Sequence, residues 1–250
     1  MRFIIFSDGH IGLGEPKADK KKVAKIIEVS KDYDKTIFNG DMIETWKYGK
    51  LGWKVSNRKD KAEDILYIHK NLKNFMISDE TIVLLGNHDY ALKDLMETEE
   101  SIVITSNDFK TSYYITHGNN CSKETSFDYI KRSNSWWVIT TAWISSIVSK
   151  AFTKLFKKDV AEGEEILNKI YTSFKENSDK NVMNDYIFTL PKHDFYVVGH
   201  THKKGRYLYN KDNENRRCFN TGHCVGSHLD AVTIDTETKE IKTIRIDVEY

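Results

Sequence analysis

The chain has 250 residues, and its 38 Lys+Arg against 37 Asp+Glu leave a formal net charge of +1. That balance excludes a bulk electrostatic pull toward nucleic acid or an anionic membrane, so any such partner needs a local patch. Charged residues at 30% with only two prolines exclude a disordered chain, and the length allows one large domain or one domain carrying an insertion.

Three cysteines, Cys121, Cys218 and Cys224, are an odd number without framework spacing, which points to reduced thiols and a cytoplasmic setting. The N-terminal apolar run is too short for a signal peptide and fits a strand, Phe3 to Phe6, stopped by Ser7-Asp8-Gly9. No uncharged stretch reaches the roughly 18–20 residues of a membrane span. Lys17 to Lys31 is predicted as an amphipathic helix with Val23, Ile26, Ile27 and Ser30 on one side and its lysines on a solvated face. Thr36 to Phe38 is a second strand, ended by Asn39-Gly40-Asp41. Asp60 to Met76 has the spacing of one helix, with His69 as a core histidine on its apolar side.

A third strand, Thr81 to Leu85, stops at Gly86-Asn87-His88-Asp89, and Tyr90 to Met96 starts a short helix. Ser101 to Thr105 and Lys110 to Thr116 follow as strands, the second stopping at His117-Gly118. This alternation predicts an α/β chain with a mainly parallel layer and right-handed crossovers. The segment 123–184 breaks the rhythm as a helical insertion within a single domain spanning 1–250. No charge occurs between Ser133 and Ser149, where Trp136, Trp137 and Trp143 stand, and Lys150, Lys154, Lys157 and Lys158 follow. Two readings stay open for 136–158. Its apolar side packs on the domain or on a second subunit as a homo-oligomer contact, or it forms a lid that meets a lipid-linked substrate or the membrane periphery. Beyond it, Phe195 to Val198 ends at Gly199-His200-Thr201-His202. Gly205–Tyr209, Arg216–Thr221, Leu229–Ile234 and Ile241–Val248 are then strands joined by polar hairpin connectors.

Five strand ends thus carry hard-oxygen or imidazole side chains. Turn chemistry accounts for Asp, Asn and Gly there, but not for histidine, and five of the nine histidines fall in these motifs. In extended backbone residues i and i+2 point the same way, so Asp8 and His10 are expected to face one ion together, as are His200 and His202. Two carboxylates, an amide and four imidazoles suit borderline divalent ions, Mn²⁺ first, then Fe²⁺, Zn²⁺, Ni²⁺ or Mg²⁺. His223 and His228, flanking Gly226-Ser227, are expected as turn or packing positions, and Cys121 as a small buried residue.

The order Asp8-x-His10, Gly40-Asp41, Gly86-Asn87-His88-Asp89, His117-Gly118 and Gly199-His200-x-His202 resembles the calcineurin-like metallophosphoesterase superfamily. The resemblance covers Asp8 to His202. It implies a four-layer α/β/β/α sandwich with a helical lid-like insertion and a dinuclear metal site at the strand ends. Carried over, Asp8, His10 and His202 bind one metal, Asn87, His117 and His200 bind the second, and Asp41 bridges both. His88 then serves as general acid or phosphate contact, oriented by Asp89. The implied reaction is hydrolysis of a phosphodiester or pyrophosphate bond by in-line attack of a metal-bridging hydroxide.

Protein Ser/Thr phosphatases of this superfamily continue Gly-Asp with Val-Asp-Arg-Gly and use Gly-Asn-His-Glu. Here Met42-Ile43-Glu44-Thr45-Trp46 and Asp89 stand instead. The acid and Trp46 after Gly-Asp, Gly-Asn-x-Asp-Tyr, Cys121 after His-Gly, and the insertion before Gly-His-Thr-His are similar to the UDP-2,3-diacylglucosamine pyrophosphatase-like branch. His88 replaces that branch's arginine, and His117-Gly118-Asn119 its His-Gly-Asp. The expected substrate is a nucleotide or a lipid-linked nucleotide. A nuclease or cyclic-nucleotide phosphodiesterase is the alternative, with no basic groove in its favour. A non-catalytic scaffold ranks last, because every expected metal position is filled.

Overall fold

A computed structural model of the chain describes residues 1–12, 16–45, 57–121, 176–224 and 227–249. The strands among them form two five-stranded sheets. The first contains β1 (Arg2–Phe6), β2 (Lys35–Asn39), β3 (Thr81–Leu84), β9 (His228–Asp235) and β10 (Ile241–Asp247), ordered β10-β9-β1-β2-β3. The second contains β4 (Ser101–Thr105), β5 (Ser112–Thr116), β6 (Phe195–Val198), β7 (Gly205–Lys211) and β8 (Glu214–Asn220), ordered β4-β5-β6-β8-β7. The described α-helices are α1 (Pro16–Ser30), α2 (Asn57–Ile68), α3 (Lys70–Met76) and α4 (Glu176–Thr189).

The period-two alternation of the strands sorts their side chains into layers. Ile4 and Phe6 of β1 pack with Val23 and Ile26 of α1, Ile65 of α2, and Leu72 and Met76 of α3. Phe3 and Ile5, the alternate residues, pack instead against Ile104, Tyr113, Ile115, Val197 and Phe219 of the second sheet. On the outer face of that sheet Tyr196, Val198 and Cys218 meet Met183 and Ile187 of α4. The chain is therefore a four-layer α/β/β/α sandwich. Ile4, Ile5, Ile37 and Ile115 are each 0% exposed, and full burial of such a side chain stabilises by roughly 1.5–3 kcal/mol. A charge at Ile5 would open the seam between the sheets.

β1, β2 and β3 run parallel as predicted. β4 and β5 leave that layer and open the second sheet as an antiparallel pair, while β9 and β10 return to the first sheet antiparallel. The mainly parallel layer expected of the first half is thus limited to β1–β3, and the chain forms the two sheets of the expected four-layer sandwich, whose alternating residues bury their inner faces on each other. The helix predicted over Asp60–Met76 is two helices, broken at His69, whose φ of −109° and ψ of 57° leave helical space. His69 itself is buried. Lys22 departs from the solvated face expected of α1. It is buried and pairs with Asp19 at 3.1 Å, and the other Asp19 oxygen accepts the Gly12 N–H at 2.8 Å. This buried pair ties α1 to the loop after β1.

Of the insertion expected over 123–184, residues 123–175 lie outside the described residues. From Glu176 onward the chain is already α4, so the expected boundary at 184 falls inside a helix that belongs to the outer layer.

Candidate metal centre

The carboxyl ends of β1, β2, β3, β5 and β6 meet at one edge of the sandwich, and backbone bonds lace their loops together. Asp8 and His10 donate their N–H groups to Gly40 and Asp41 carbonyls, each at 3.0 Å, and Gly199 donates to the His117 carbonyl at 3.0 Å. Across the seam Asn39 Nδ2 donates to the Thr116 carbonyl at 3.1 Å, and His117 Nδ1 donates to the Asn39 carbonyl at 2.7 Å. The last bond fixes the His117 tautomer, so Nε2 is the nitrogen turned to the site.

At five of the seven expected ligands the backbone is not extended. Asp8, His10, Asp41, His200 and His202 have φ of 54°, 44°, 55°, 63° and 57°. The other non-glycine residues with positive φ among those described, Phe109, Asp212, Asn213 and Lys239, sit in hairpin turns. Left-handed backbone costs a non-glycine residue of order 1–3 kcal/mol, so outside hairpins this strain is concentrated at the candidate ligands. Of the two i, i+2 pairs, Asp8 and His10 do join one site, while the second pair divides. His200 and His202 do not face one ion together: His200 joins Asp41 and His117, whereas His202 joins Asp8 and His10. The ligand atoms within each trio lie within 4.8 Å of one another.

Burial makes these groups dependent on one another. His202 Nε2 lies 3.0 Å from Asp8 Oδ1 and 3.4 Å from His10 Nε2, and His117 Nε2 lies 3.0 Å from Asp41 Oδ2. Burial alone would push both carboxyls up, but the His202 and His117 imidazoles at Asp8, and His117 and His88 at Asp41, hold them well below the carboxylate range. Burial likewise opposes a charge on His117, yet Asp41 and Asp8 lift it to about 10. Burial and the neighbouring His117 push His200 down to about 3, and burial also depresses His10. Protons thus occupy a carboxylate–imidazole cluster of the composition a divalent cation takes. Asn87 supplies the sharpest test of fit. It is 2% exposed, and its Oδ1 is buried without a hydrogen-bond partner among the described residues. A bare amide oxygen at such a position costs about 1–3 kcal/mol unless an ion or water fills it. The donor set fits two divalent ions.

His88 and Asp89 part company from the sequence expectation. Asp89 accepts the N–H groups of Gly86 and Met42 at 2.7 and 2.8 Å. It clamps the β2 and β3 loops together, and its burial and the nearby Asp41 raise it to about 7. The acid on the His88 ring is Glu44, whose two oxygens lie 2.9 and 2.8 Å from Nδ1. Glu44 is 0% exposed and also meets His10 Nδ1 at 3.2 Å. With both Nδ1 atoms donating to one carboxylate, His10 keeps its Nε2 lone pair for an ion, and any proton His88 delivers comes from Nε2. The His88 N–H donates to Asp41 Oδ1 at 2.7 Å. Gly86 permits this closeness, since a Cβ there would meet the Asp41 carboxylate and come 2.5 Å from its amide nitrogen.

Sequence reasoning noticed Glu44 only as an acid after Gly-Asp and assigned it nothing. The signal the sequence holds is an acid three residues beyond the Gly-Asp ligand; its burial is visible only in the fold. His223, expected in a turn or packing role, is buried beside His202, with Nδ1 donating to its carbonyl at 3.1 Å. Ser7 bonds the Asp8 carboxylate and the Thr221 hydroxyl. Cys121 is half-buried and packs on the α4 cluster rather than on the site.

A family model described as calcineurin-like phosphoesterase matches residues 1–204. No curated protein matches. Among solved structures the chain is similar to YfcE, a phosphoesterase from E. coli, at 12% identity over 100% of both chains with a TM-score of 0.43. It is also similar to a dimetal phosphatase from Danio rerio, at 10% identity over 100% of this chain and 99% of that one with a TM-score of 0.48.

Proposed function

Because the chain belongs to the calcineurin-like phosphoesterase family, we propose that it hydrolyses a phosphodiester or pyrophosphate bond with two bound divalent ions. The observation that carries this reading is the pair of donor trios, Asp8/His10/His202 and Asp41/His117/His200. Asn87 adds a ligand to the second, and Asp41 has a second oxygen to share between ions. Mn²⁺ suits the mixed oxygen and imidazole donors.

When bound, the ions supply Lewis-acid polarisation of the phosphoryl oxygens and acidify water near neutral pH. The chain's own residues do the rest. Glu44 holds the His10 and His88 rings in one tautomer. Asp89 locks the loops that carry Asp41, Asn87 and His88, through the Met42 and Gly86 amides. In this reading His88 donates a proton from Nε2 to the leaving oxygen, supported by the 14% exposure of its side chain. Charge on that oxygen is what makes a poor leaving group slow, so His88 matters most for alkyl esters.

The substrate in this reading is a nucleotide or lipid-linked nucleotide. The Trp-rich stretch 136–158 supports the lipid-linked form, by composition alone. Among the described residues no helix is long and apolar enough to cross a membrane, and the membrane contact in this reading is a peripheral one through 136–158. Co-sedimentation with anionic liposomes should be lost in Trp136/Trp137/Trp143→Ala, and equal binding by both proteins removes the lipid argument. The activity itself is tested with Mn²⁺ on bis-p-nitrophenyl phosphate against p-nitrophenyl phosphate, then on UDP-diacylglucosamine, cyclic nucleotides, dinucleotides and single-stranded DNA. Preference for the diester, lost with EDTA, is expected. Preference for the monoester refutes the diester reading.

A further inference from the structure

We infer that the open edge of β3 binds a short basic peptide in extended form, at the end of that strand away from the metal centre. β3 closes one side of the first sheet, so its outer backbone groups have no neighbouring strand.

Alternation decides which groups of β3 face outward. In a parallel pair each strand bonds its neighbour through every second residue, and the Glu80 carbonyl accepts the Thr36 N–H of β2 at 2.9 Å. Residues 80, 82 and 84 therefore face β2, while 81, 83 and 85 face outward. Three of the outward groups are taken. Thr81 donates its N–H to the Ser78 carbonyl at 3.0 Å, the Val83 carbonyl accepts the Glu99 N–H at 3.0 Å, and Leu85 donates to the Glu99 carbonyl at 2.9 Å. The Thr81 carbonyl and the Val83 N–H are left between them, without a hydrogen-bond partner among the described residues, although Val83 is only 3% exposed.

These two groups are the pair that one residue of an added parallel strand bonds. Glu99 makes the equivalent bonds farther along, where it bridges Leu84 in parallel. In the same register Glu97 would meet Ile82, but its backbone forms neither bond, and a groove of about 410 Å³ opens there instead. That volume falls within the roughly 300–1,000 Å³ of ligand sites.

The lining sets what fits. Met76, Ile77, Ile82, Leu95 and Met96 give apolar walls, and Ile77 is 57% exposed. Asp79, Glu97 and Glu99 are the charged residues of the lining, all three exposed, and none of the lining residues is basic. Lys35, at the start of β2, already gives its ammonium to the Asp79 carbonyl, which leaves three carboxylates to one cation. A backbone bite, apolar walls and an acidic rim together select an extended segment with apolar residues at its centre and Lys or Arg at its ends. Its central residue donates its N–H to the Thr81 carbonyl and accepts the Val83 N–H on its own carbonyl. The segment ends near that register, because Glu99 holds the next place. Neither the metals nor the phosphoesterase reading enters this site.

The test is titration of the full ¹⁵N-labelled chain with the peptide acetyl-Lys-Val-Leu-Val-Lys-amide, followed in ¹H–¹⁵N spectra. The Val83 amide should shift saturably while the Asn87 and His88 amides at the metal centre move less. The acidic peptide acetyl-Glu-Val-Leu-Val-Glu-amide should bind about tenfold more weakly, and so should the basic peptide N-methylated at its leucine, which keeps every charge but cannot donate to the Thr81 carbonyl. Glu97→Lys should weaken the basic peptide about fivefold. An unmoved Val83 amide, or equal binding of the N-methylated peptide, overturns the strand pairing and with it the site. Equal binding of the acidic peptide, or no loss in Glu97→Lys, overturns the basic ligand. A Val83 shift produced by concentrating the protein alone assigns the groove to a second copy of the chain and overturns the peptide reading as well.

Discussion

Replacing Glu44 with Gln removes one charge and changes no volume, so it isolates what the buried carboxylate does. Glu44 takes Nδ1–H bonds from His88 at 2.8 Å and His10 at 3.2 Å. Oε2 meets both rings and Oε1 meets His88 alone, so the Gln amide N–H₂ faces His88 in either orientation and faces both rings when it takes the Oε2 position. A ring that meets the N–H₂ must turn its Nδ1 into an acceptor and carry its proton on Nε2. In the second orientation that includes His10, and the lone pair an ion needs is gone. Each bond to a charged group is worth about 1.5–3 kcal/mol, and losing a partner of this type lowers metal affinity roughly 10–100-fold. Mn²⁺ affinity of the metal-free protein, measured by competition with a fluorescent chelator, should fall by that factor in Glu44→Gln. A urea midpoint within error of wild type would show that the fold is intact. Affinity within about twofold of wild type would refute the idea that one carboxylate sets both tautomers.

His88→Ala should keep its metals and lose turnover by roughly 10²-fold, with a larger loss for alkyl than for nitrophenyl leaving groups. Unchanged turnover of the metal-loaded variant removes His88 as the proton donor. His117 yields a pH prediction. Its folded value of about 10 lies above the ordinary 6.5, so in metal-free protein its stabilising contribution is complete below about pH 6.5 and is lost as pH rises through 10. A metal ligand must be neutral, so Mn²⁺ affinity should climb about tenfold per pH unit between pH 7 and 9 as this proton is displaced. A flat affinity profile would show that His117 is already neutral.

The sequence was most legible where one local rule sufficed. β1, β3, β4 and β6 follow from short apolar runs with polar stops, and the recurrence of histidine at strand ends located the candidate ligands. It was less legible where tertiary contact decided the outcome. The division of β4 and β5 into a second sheet depends on Phe3 and Ile5 meeting Tyr113 and Ile115, which no local pattern contains. Lys22 looked solvated because the buried Asp19 that receives it is paired only once α1 packs on the loop after β1. The left-handed backbone at His200 and His202 sent the two imidazoles to different trios against the strand-alternation argument, which held for Asp8 and His10, since nothing in a non-glycine residue announces a positive φ. Glu44 takes the role expected of Asp89 for a related reason. Sequence proximity linked His88 to its neighbour Asp89, whereas the loop after β2 brings Glu44 to the imidazole.

The two-metal reading is tested most directly by adding Mn²⁺ to the metal-free protein while following bound metal and bis-p-nitrophenyl phosphate hydrolysis together. Two separate donor trios, Asp8/His10/His202 and Asp41/His117/His200, predict two ions per chain, with turnover appearing as the second site fills and lost in Asp41→Asn. Full turnover at one bound ion, or turnover that persists in EDTA, would contradict it.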